Sequence, residues 1–128
     1  MRRIVMLLAT VGLFTPAAHA KVPYGEDITV TYARTLVQEE GIVWIDVREI
    51  TEFEQLPKLD FVHHVPLSRF NASFADMKLK KDATLFVVCR SGKRSKRVQK
   101  ALYDAGYTSV TNILGGMTDW YAKFPHDK

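Results

Sequence analysis

The sequence predicts an α/β domain with a mostly parallel central sheet flanked by helices on both faces. Strand-like and helix-like patterns alternate along the chain, an order typical of parallel strands joined by helical crossovers. Two strand-like segments, residues 42–45 and Thr84–Val88, are apolar at almost every position. Runs of this kind are typical of strands that are covered on both faces.

The first 20 residues are expected to lie outside this domain. Two arginines precede an apolar stretch over residues 4–14, and residues 18–20 read Ala-His-Ala, which is typical of a signal peptide and its cleavage site. The apolar stretch is shorter than the roughly 20 residues of a membrane-spanning helix, so no stable membrane anchor is expected. We therefore expect cleavage after residue 20, a single domain over residues 21–128, and a periplasmic or secreted protein.

The net charge of the expected mature domain is small. The whole chain has 18 lysines and arginines against 14 acidic residues, and residues 1–20 contain two of the arginines, which leaves 16 against 14, or +2. A charge this close to balance does not indicate a nucleic-acid partner.

The elements at the start of the domain are short. Residues 28–30 are patterned as a strand, and residues 31–40 have apolar side chains on one side of a helix that Gly41 is expected to end. Residues 42–45 then form the first buried strand.

Between the two buried strands the pattern is weaker. Residues 51–55 are expected to form an acidic helix, in which Thr51 and Glu54 have the spacing of a capping box. Residues 61–65 are expected to form a further strand, and residues 67–76 have no clear period.

The last part of the chain has the clearest pattern. After Thr84–Val88, a helix is expected to end at Gly106. Its predicted core face has the spacing i, i+3, i+4, i+7: Val98, Ala101, Leu102 and Ala105. Residues 109–113 are then patterned as a strand, and residues 117–124 as a final short helix.

The chain has one cysteine, Cys89, and it lies where the strand Thr84–Val88 ends and this helix begins. Sites in such sheets lie beyond the carboxyl ends of the strands, where Asp46 also stands. Backbone N–H groups at a helix start and nearby cations stabilise a thiolate, which is the nucleophilic form. With no second cysteine, a sulfur species formed on Cys89 must be discharged by another molecule. The sequence therefore predicts a reactive thiol.

The loop after Cys89 is rich in cations, which are unfavourable at a helix amino terminus and therefore indicate a bound anion. Gly92 permits a backbone conformation in which successive N–H groups point toward the sulfur. Ser95 either donates a hydroxyl to the site or caps the helix. The residues expected to bind the anion are Arg90, Ser91, Gly92, Lys93 and Arg94. Three basic residues further along either add to the anion-binding charge or form a solvent-exposed basic face of the helix: Lys96, Arg97 and Lys100.

Two kinds of chemistry use such a loop, and its length separates them. Cysteine phosphatases have an arginine six positions after the cysteine, whereas here that position is Ser95 and Arg94 closes a shorter C-x4-R loop. The shorter loop favours sulfur over phosphorus. Residues 89–95, Cys-Arg-Ser-Gly-Lys-Arg-Ser, resemble the active-site loop of the rhodanese-type sulfurtransferases.

Other segments carry the same resemblance in the same order. Residues 45–49, Ile-Asp-Val-Arg-Glu, with Glu52 and Phe53 are similar to the family's Asp-x-Arg element. Further matching segments are Val65-Pro66-Leu67, Tyr107, Leu114-Gly115-Gly116-Met117 and Trp120. Residues 57–62 depart from the family, which usually has a Gly-His-Ile-x-Gly-Ala stretch there.

The resemblance implies a single rhodanese-like domain and a single-domain, exported, thiosulfate sulfurtransferase-like enzyme. Cys89 would take a sulfane sulfur from a small anionic donor such as thiosulfate and pass it, through a persulfide, to a thiophilic acceptor such as cyanide or a thiol. No cofactor is implied. Two alternatives stay open: a persulfide carrier that serves one protein partner, and a cysteine-dependent phosphatase or arsenate reductase.

The resemblance also assigns supporting roles around the loop. Asp46 is expected to accept hydrogen bonds from the cysteine loop, Arg48 to form an ion pair, and Ser95 to support the loop. His63 and His64 are adjacent on a predicted strand, so their side chains point to opposite faces and no metal site is expected.

Overall fold

The computed structural model of the chain describes residues 26–127. The predicted signal peptide and its cleavage site lie outside the described residues. Within this range no helix has the length and apolar character needed to cross a membrane.

A parallel sheet forms the centre of the described part of the chain. Its five strands are β1 (Asp27–Ile28), β2 (Ile42–Asp46), β3 (His63–His64), β4 (Thr84–Val88) and β5 (Val110–Ile113). They lie in the order β1-β5-β4-β2-β3, and every pair of neighbours is parallel. The sheet confirms the predicted α/β fold and places β4, the strand before Cys89, at its middle.

Helices cover both faces of the sheet. They are α1 (Val30–Arg34), α2 (Ile50–Gln55), α3 (Phe70–Asp76), α4 (Lys93–Asp104) and α5 (Gly116–Lys123), and a 3-10 turn, Leu67–Arg69, precedes α3. Buried side chains of α1 and α5 belong to one core cluster, and those of α3 and α4 belong to another. The sheet therefore separates two layers of helices, as expected.

The alternation of side chains along β4 decides which layer receives the cysteine. Phe86 and Val88 pack in the cluster of α1 and α5, whereas Leu85 and Val87 pack in the cluster of α3 and α4. Successive side chains of a strand point to opposite faces. Cys89 continues this alternation, so its side chain lies on the α3 and α4 face and is fully buried.

Two predicted elements at the start of the domain have different bounds. The expected strand at 28–30 ends at Ile28, because the Thr29 side chain accepts a hydrogen bond from Tyr32 N at 3.1 Å and caps α1 from Val30 onward. Regular helix ends at Arg34, well before Gly41, and the chain continues in turns.

The capping box of α2 lies two residues earlier than predicted. Glu49 is the N-cap, and its N–H donates to Glu52 Oε1 at 2.9 Å while the Glu49 carboxylate accepts from the start of the helix. The prediction from Thr51 and Glu54 was wrong, because α2 begins at Ile50 and not after Thr51.

The inner face of α4 also differs from the predicted one. Val98 and Leu102 are buried as expected, but Ala101 and Ala105 are exposed. Two polar residues, Ser95 and Gln99, occupy the buried stripe instead. They are tolerated there because each is hydrogen-bonded to β5: Ser95 Oγ to Asn112 Oδ1 and Gln99 Nε2 to Val110 O.

Candidate active site

The carboxyl ends of β2 and β4 meet at one edge of the sheet. Asp46 is in register with Val88, and Val47 N donates to Val88 O at 2.9 Å. Asp46 and Cys89 therefore lie at the same edge, which is where sites are found in parallel sheets.

Backbone and hydroxyl hydrogen-bond donors surround the Cys89 sulfur. Sγ lies 3.1 Å from Gly92 N, 3.4 Å from Ser95 N and 3.4 Å from Ser95 Oγ. The two N–H groups belong to the loop and to the first turn of α4, where unpaired backbone donors point outward from a helix start. The loop therefore forms a cup of donors with the sulfur at its floor.

The cup changes the acidity of the thiol. Burial raises the pKa of Cys89, but hydrogen bonds from Ser95, through its hydroxyl when this is turned to the sulfur and through its N–H, and from the N–H groups of Gly92 and Ser91 outweigh burial. The net pKa of Cys89 lies below the ordinary value of a thiol. A larger share of the sulfur is therefore in the nucleophilic thiolate form at neutral pH.

The Gly115-Gly116 turn holds the loop from outside. Met117 N donates to Cys89 O at 2.8 Å, and Thr118 N donates to Arg90 O at 3.0 Å. A Cβ atom at position 116 would lie 2.6 Å from Arg90 O and closer still to Cys89 O, so only glycine allows this approach. Gly92, inside the loop, has φ +98°, the conformation that its position was predicted to need.

The cations of the loop are not equivalent. Arg94 donates to Glu52 on α2 through two nitrogens, with NH1 to Oε1 at 2.6 Å and NH2 to Oε2 at 2.8 Å. The hydrogen bond from Arg94 lowers the pKa of Glu52 to about 2 and raises that of Arg94. Arg90 and Lys93 are exposed and make no ion pair with any residue in 26–127. Arg94 was predicted to bind the anion, but its charge is largely compensated by Glu52.

The predicted contact between Asp46 and the cysteine loop is wrong. Within residues 26–127, the Asp46 carboxylate accepts hydrogen bonds only from Arg48: from its backbone N at 3.0 Å, from Nε at 3.0 and 3.1 Å, and from NH2 at 2.9 Å. Both side chains are buried, and Arg48 NH2 also donates to Pro57 O at 3.1 Å. Arg48 lies two residues after Asp46, just past the end of β2, and its side chain folds back to reach the carboxylate. The predicted ion pair of Arg48 is therefore present, with Asp46 as its partner.

The histidines lie beside this pair. His64 Nε2 is 2.7 Å from Arg48 O, and its ring stacks on Phe53 with a centroid distance of 3.9 Å. His63 is exposed. No group of three or more potential metal ligands comes together in residues 26–127.

Two openings border the cysteine loop. A groove of about 390 Å³ on the β5 side is lined by Ser91, Lys93 and Asn112, among others. A smaller cavity of about 140 Å³ on the other side is lined by Arg48, Arg90 and further residues from α5 and the segment after α2. The loop is thus accessible from two sides, and exposed cations lie at both.

Two residues of the site were not assigned a role from the sequence. Glu52 was named only as part of a motif, and its partner Arg94 is 42 residues away in sequence. Asn112 lies on β5, and its Oδ1 accepts from Ser95 Oγ at 2.5 Å. An amide side chain in a segment patterned as a strand, between Thr111 and Ile113, is the sequence signal that could have found it.

The family model of the Rhodanese-like domain matches residues 29–123. This chain belongs to the rhodanese family. The match includes every strand after β1 and the whole cysteine loop. The rhodanese fold is also seen in a solved structure, the solution NMR structure of the rhodanese-like domain of the Anabaena Alr3790 protein, with a TM-score of 0.67, 17% identity, and coverage of 76% of this chain and 74% of that chain.

Two curated relatives indicate what other rhodanese domains do. The thiosulfate sulfurtransferase GlpE of Pseudomonas savastanoi pv. phaseolicola is 32% identical over 95 residues, which are 71% of this chain and 83% of GlpE. The putative sulfur carrier protein YrkF of Bacillus subtilis is 31% identical over 85 residues, which are 66% of this chain but only 44% of YrkF. One of these two relatives of the chain is thus named as a thiosulfate sulfurtransferase, and the other as a putative sulfur carrier.

Proposed function

We propose that this rhodanese is a sulfurtransferase that moves a sulfane sulfur through a persulfide on Cys89. The donor is a small anion such as thiosulfate, and the acceptor is a thiophile such as cyanide or a thiol. The observation that carries the proposal is the donor cup around Sγ, with Gly92 N at 3.1 Å and Ser95 N at 3.4 Å. The similarity to GlpE supports the same reaction.

The reaction needs no net proton transfer. The Cys89 thiolate attacks the outer sulfur of thiosulfate, the S–S bond of thiosulfate breaks, and sulfite leaves with the electron pair. The product on the enzyme is a persulfide anion, which the N–H groups of the loop stabilise as they did the thiolate. Cyanide then attacks the outer sulfur, thiocyanate leaves, and the Cys89 thiolate is restored.

The position of Arg94 argues against phosphatase or arsenate chemistry. A cysteine phosphatase needs an arginine whose fork of donors is free to hold oxygens of the phosphoryl group in a bidentate pair. In this rhodanese Arg94 gives two of its nitrogens to Glu52, at 2.6 and 2.8 Å. The loop cup that remains is built of N–H groups and suits a single sulfur atom.

The test is turnover together with the mass of the protein. Thiocyanate formation from thiosulfate and cyanide is expected, and thiosulfate alone should add the mass of one sulfur atom to the protein. The mass gain without turnover would favour the persulfide carrier, the alternative that the similarity to YrkF supports. The proposal would be overturned if the protein showed no turnover and no mass gain but hydrolysed a phosphate ester or reduced arsenate.

Replacing Glu52 by glutamine is expected to lower the KM for thiosulfate about fivefold at neutral pH with little change in kcat. The reason is that the Arg94 charge is no longer compensated, which is worth about 1 kcal/mol at a partly exposed site. Because the folded pKa of Glu52 is about 2, below the ordinary value near ~4.3, the pair stabilises the wild-type protein above pH ~4.3 and is lost only as the pH falls toward 2. The difference in KM should thus persist throughout the neutral range.

The matched control for this prediction is Glu54→Gln. It removes the same charge from the same helix, but Glu54 is exposed and forms no ion pair with a described residue. Its KM for thiosulfate should equal that of the wild type within the error of the measurement. Equal KM values for Glu52→Gln and Glu54→Gln would show that Arg94 does not face the donor.

We also propose that the protein is exported, on the strength of the signal-peptide pattern in residues 1–20. Fractionation of bacterial cells that express the full chain tests this. A protein that begins at Lys21 and is found outside the cytoplasm is expected, whereas a full-length cytoplasmic chain would contradict export.

A further inference from the structure

The Ser95 hydroxyl lies between two acceptors and has a single proton for them. Its Oγ is 2.5 Å from Asn112 Oδ1 and 3.4 Å from Cys89 Sγ. A separation of 2.5 Å fits O–H···O, whose usual range is about 2.5–3.0 Å, and is too short for N–H···O. The amide oxygen of Asn112 therefore faces Ser95 and takes the proton, so that the same proton is not available to the sulfur.

Asn112 is held where it can keep this proton. It lies on β5 between β1 and β4, in register with Asp27 and Val87, and only 1% of its surface is exposed. If the Ser95 hydroxyl turned to the sulfur, Asn112 Oδ1 would lose its donor inside the protein. A buried acceptor without a donor is costly.

The other groups around the sulfur do not compete in this way. The N–H groups of Ser91, Gly92 and Ser95 are fixed by the backbone. Arg94 is a charged group of the loop that interacts with the thiol, and it is paired with Glu52. Asp46 and Arg48, at the end of the neighbouring strand, are paired with each other. Among the described contacts of Sγ, the Ser95 hydroxyl is the donor that can move.

We propose that Asn112 is a positioning residue that restrains the nucleophile: it holds the Ser95 hydroxyl away from the sulfur while Cys89 is a thiol and releases it when the thiolate forms. The hydroxyl is a rotor with two positions. Each ionisation exchanges the Ser95–Asn112 hydrogen bond for one from Ser95 to the sulfur. Asn112 thus lowers the fraction of Cys89 that is thiolate, compared with the same donor cup in the absence of Asn112.

This inference rests on Cys89 as the reacting group of the proposed function, but its test does not involve sulfur transfer. The measurement is the rate of alkylation of Cys89 by iodoacetamide as a function of pH. The thiolate displaces iodide and forms a C–S bond, so that below the pKa the rate follows the thiolate fraction. A protein that failed to use thiosulfate would still report whether Asn112 acts on the thiol.

The variants Asn112→Leu and Ser95→Ala are expected to change the alkylation rate of Cys89 in opposite directions. Below the pKa, Asn112→Leu should be alkylated about three- to tenfold faster, the size of one neutral hydrogen bond, and Ser95→Ala about tenfold slower, because the thiolate loses a donor. Above the pKa, Asn112→Leu should be slightly slower than the wild type, since nucleophilicity falls with thiol pKa. The double variant should behave as Ser95→Ala does, because Asn112 acts only through Ser95.

The matched control is Gln99→Leu. Gln99 is also a buried amide and donates to Val110 O at 2.9 Å, but it is not among the described hydrogen-bond donors to the sulfur. Its alkylation profile should coincide with that of the wild type. If Asn112→Leu were faster at every pH, the change would be one of access to the thiol, and the proposal would be overturned.

A second variant, Asn112→Asp, tests the same proposal if Asn112→Leu does not fold. Asn112→Asp replaces the amide oxygen by a carboxylate, which holds the Ser95 proton more strongly. It should be alkylated more slowly than the wild type below the pKa, and the effect should shrink when Ser95 is also replaced by alanine. An equal slowing in the presence and absence of Ser95 would mean a purely electrostatic effect and would contradict the rotor.

Discussion

Replacing Cys89 by serine is expected to reduce thiocyanate formation by about 10³-fold or more, to the rate of the uncatalysed reaction. Serine is nearly isosteric, and its Oγ accepts the hydrogen bonds that Gly92 N and Ser95 N give to the sulfur. The cup should therefore keep its shape. Its hydroxyl, however, stays protonated at neutral pH and forms no persulfide. The fall in thiocyanate formation is then due to the missing thiolate and not to a change in the fold.

The mass of the protein after treatment with thiosulfate is the second readout of this variant. The wild type should gain one sulfur atom and Cys89→Ser none, since Cys89 is the one cysteine of the chain. A circular dichroism spectrum and a melting temperature equal to those of the wild type establish that the variant is folded. Residual turnover above about one hundredth of the wild-type rate would rule out Cys89 as the nucleophile.

The sequence was most informative where one physical cause dominates. The bounds of β4 were predicted to the residue, because an apolar run is bounded by a polar turn at 78–82 and by the cysteine loop. Gly92 was predicted from the conformation that the loop needs and has φ +98°. In both cases the signal is local and lies within a few residues of the feature that it predicts.

The missed features depend on contacts between distant segments. The polar stripe of Ser95 and Gln99 is buried because β5 offers partners, which the periodicity of α4 does not contain. Glu52 and Arg94 belong to different helices. The expected strand at 61–65 is reduced to the two residues of β3, because only His63 and His64 pair with β2.

Arg48→Met is expected to lower the free energy of unfolding by about 3–5 kcal/mol. Arg48 and Asp46 are 1% and 0% exposed, so the substitution leaves the Asp46 carboxylate buried without a compensating charge. A domain of this size has about 5–15 kcal/mol of stability in total, so the loss is a large fraction of it. The measurement is urea unfolding. The control is Arg34→Met, which removes the same side chain from an exposed pair with Asp127 and should cost much less.

The double variant shows whether the loss of stability comes from the unpaired Asp46 charge or from the loss of Arg48 itself. Asp46→Leu/Arg48→Met should be more stable than Arg48→Met alone, because no uncompensated charge remains in the core. A double variant as unstable as Arg48→Met would mean that Arg48 acts mainly through Pro57 O, its other acceptor. Since Asp46 makes no hydrogen bond to the cysteine loop among the described residues, kcat of the folded double variant should stay within about threefold of the wild type. A much larger fall in kcat with stability restored would make the pair part of the catalytic machinery and not only of the scaffold.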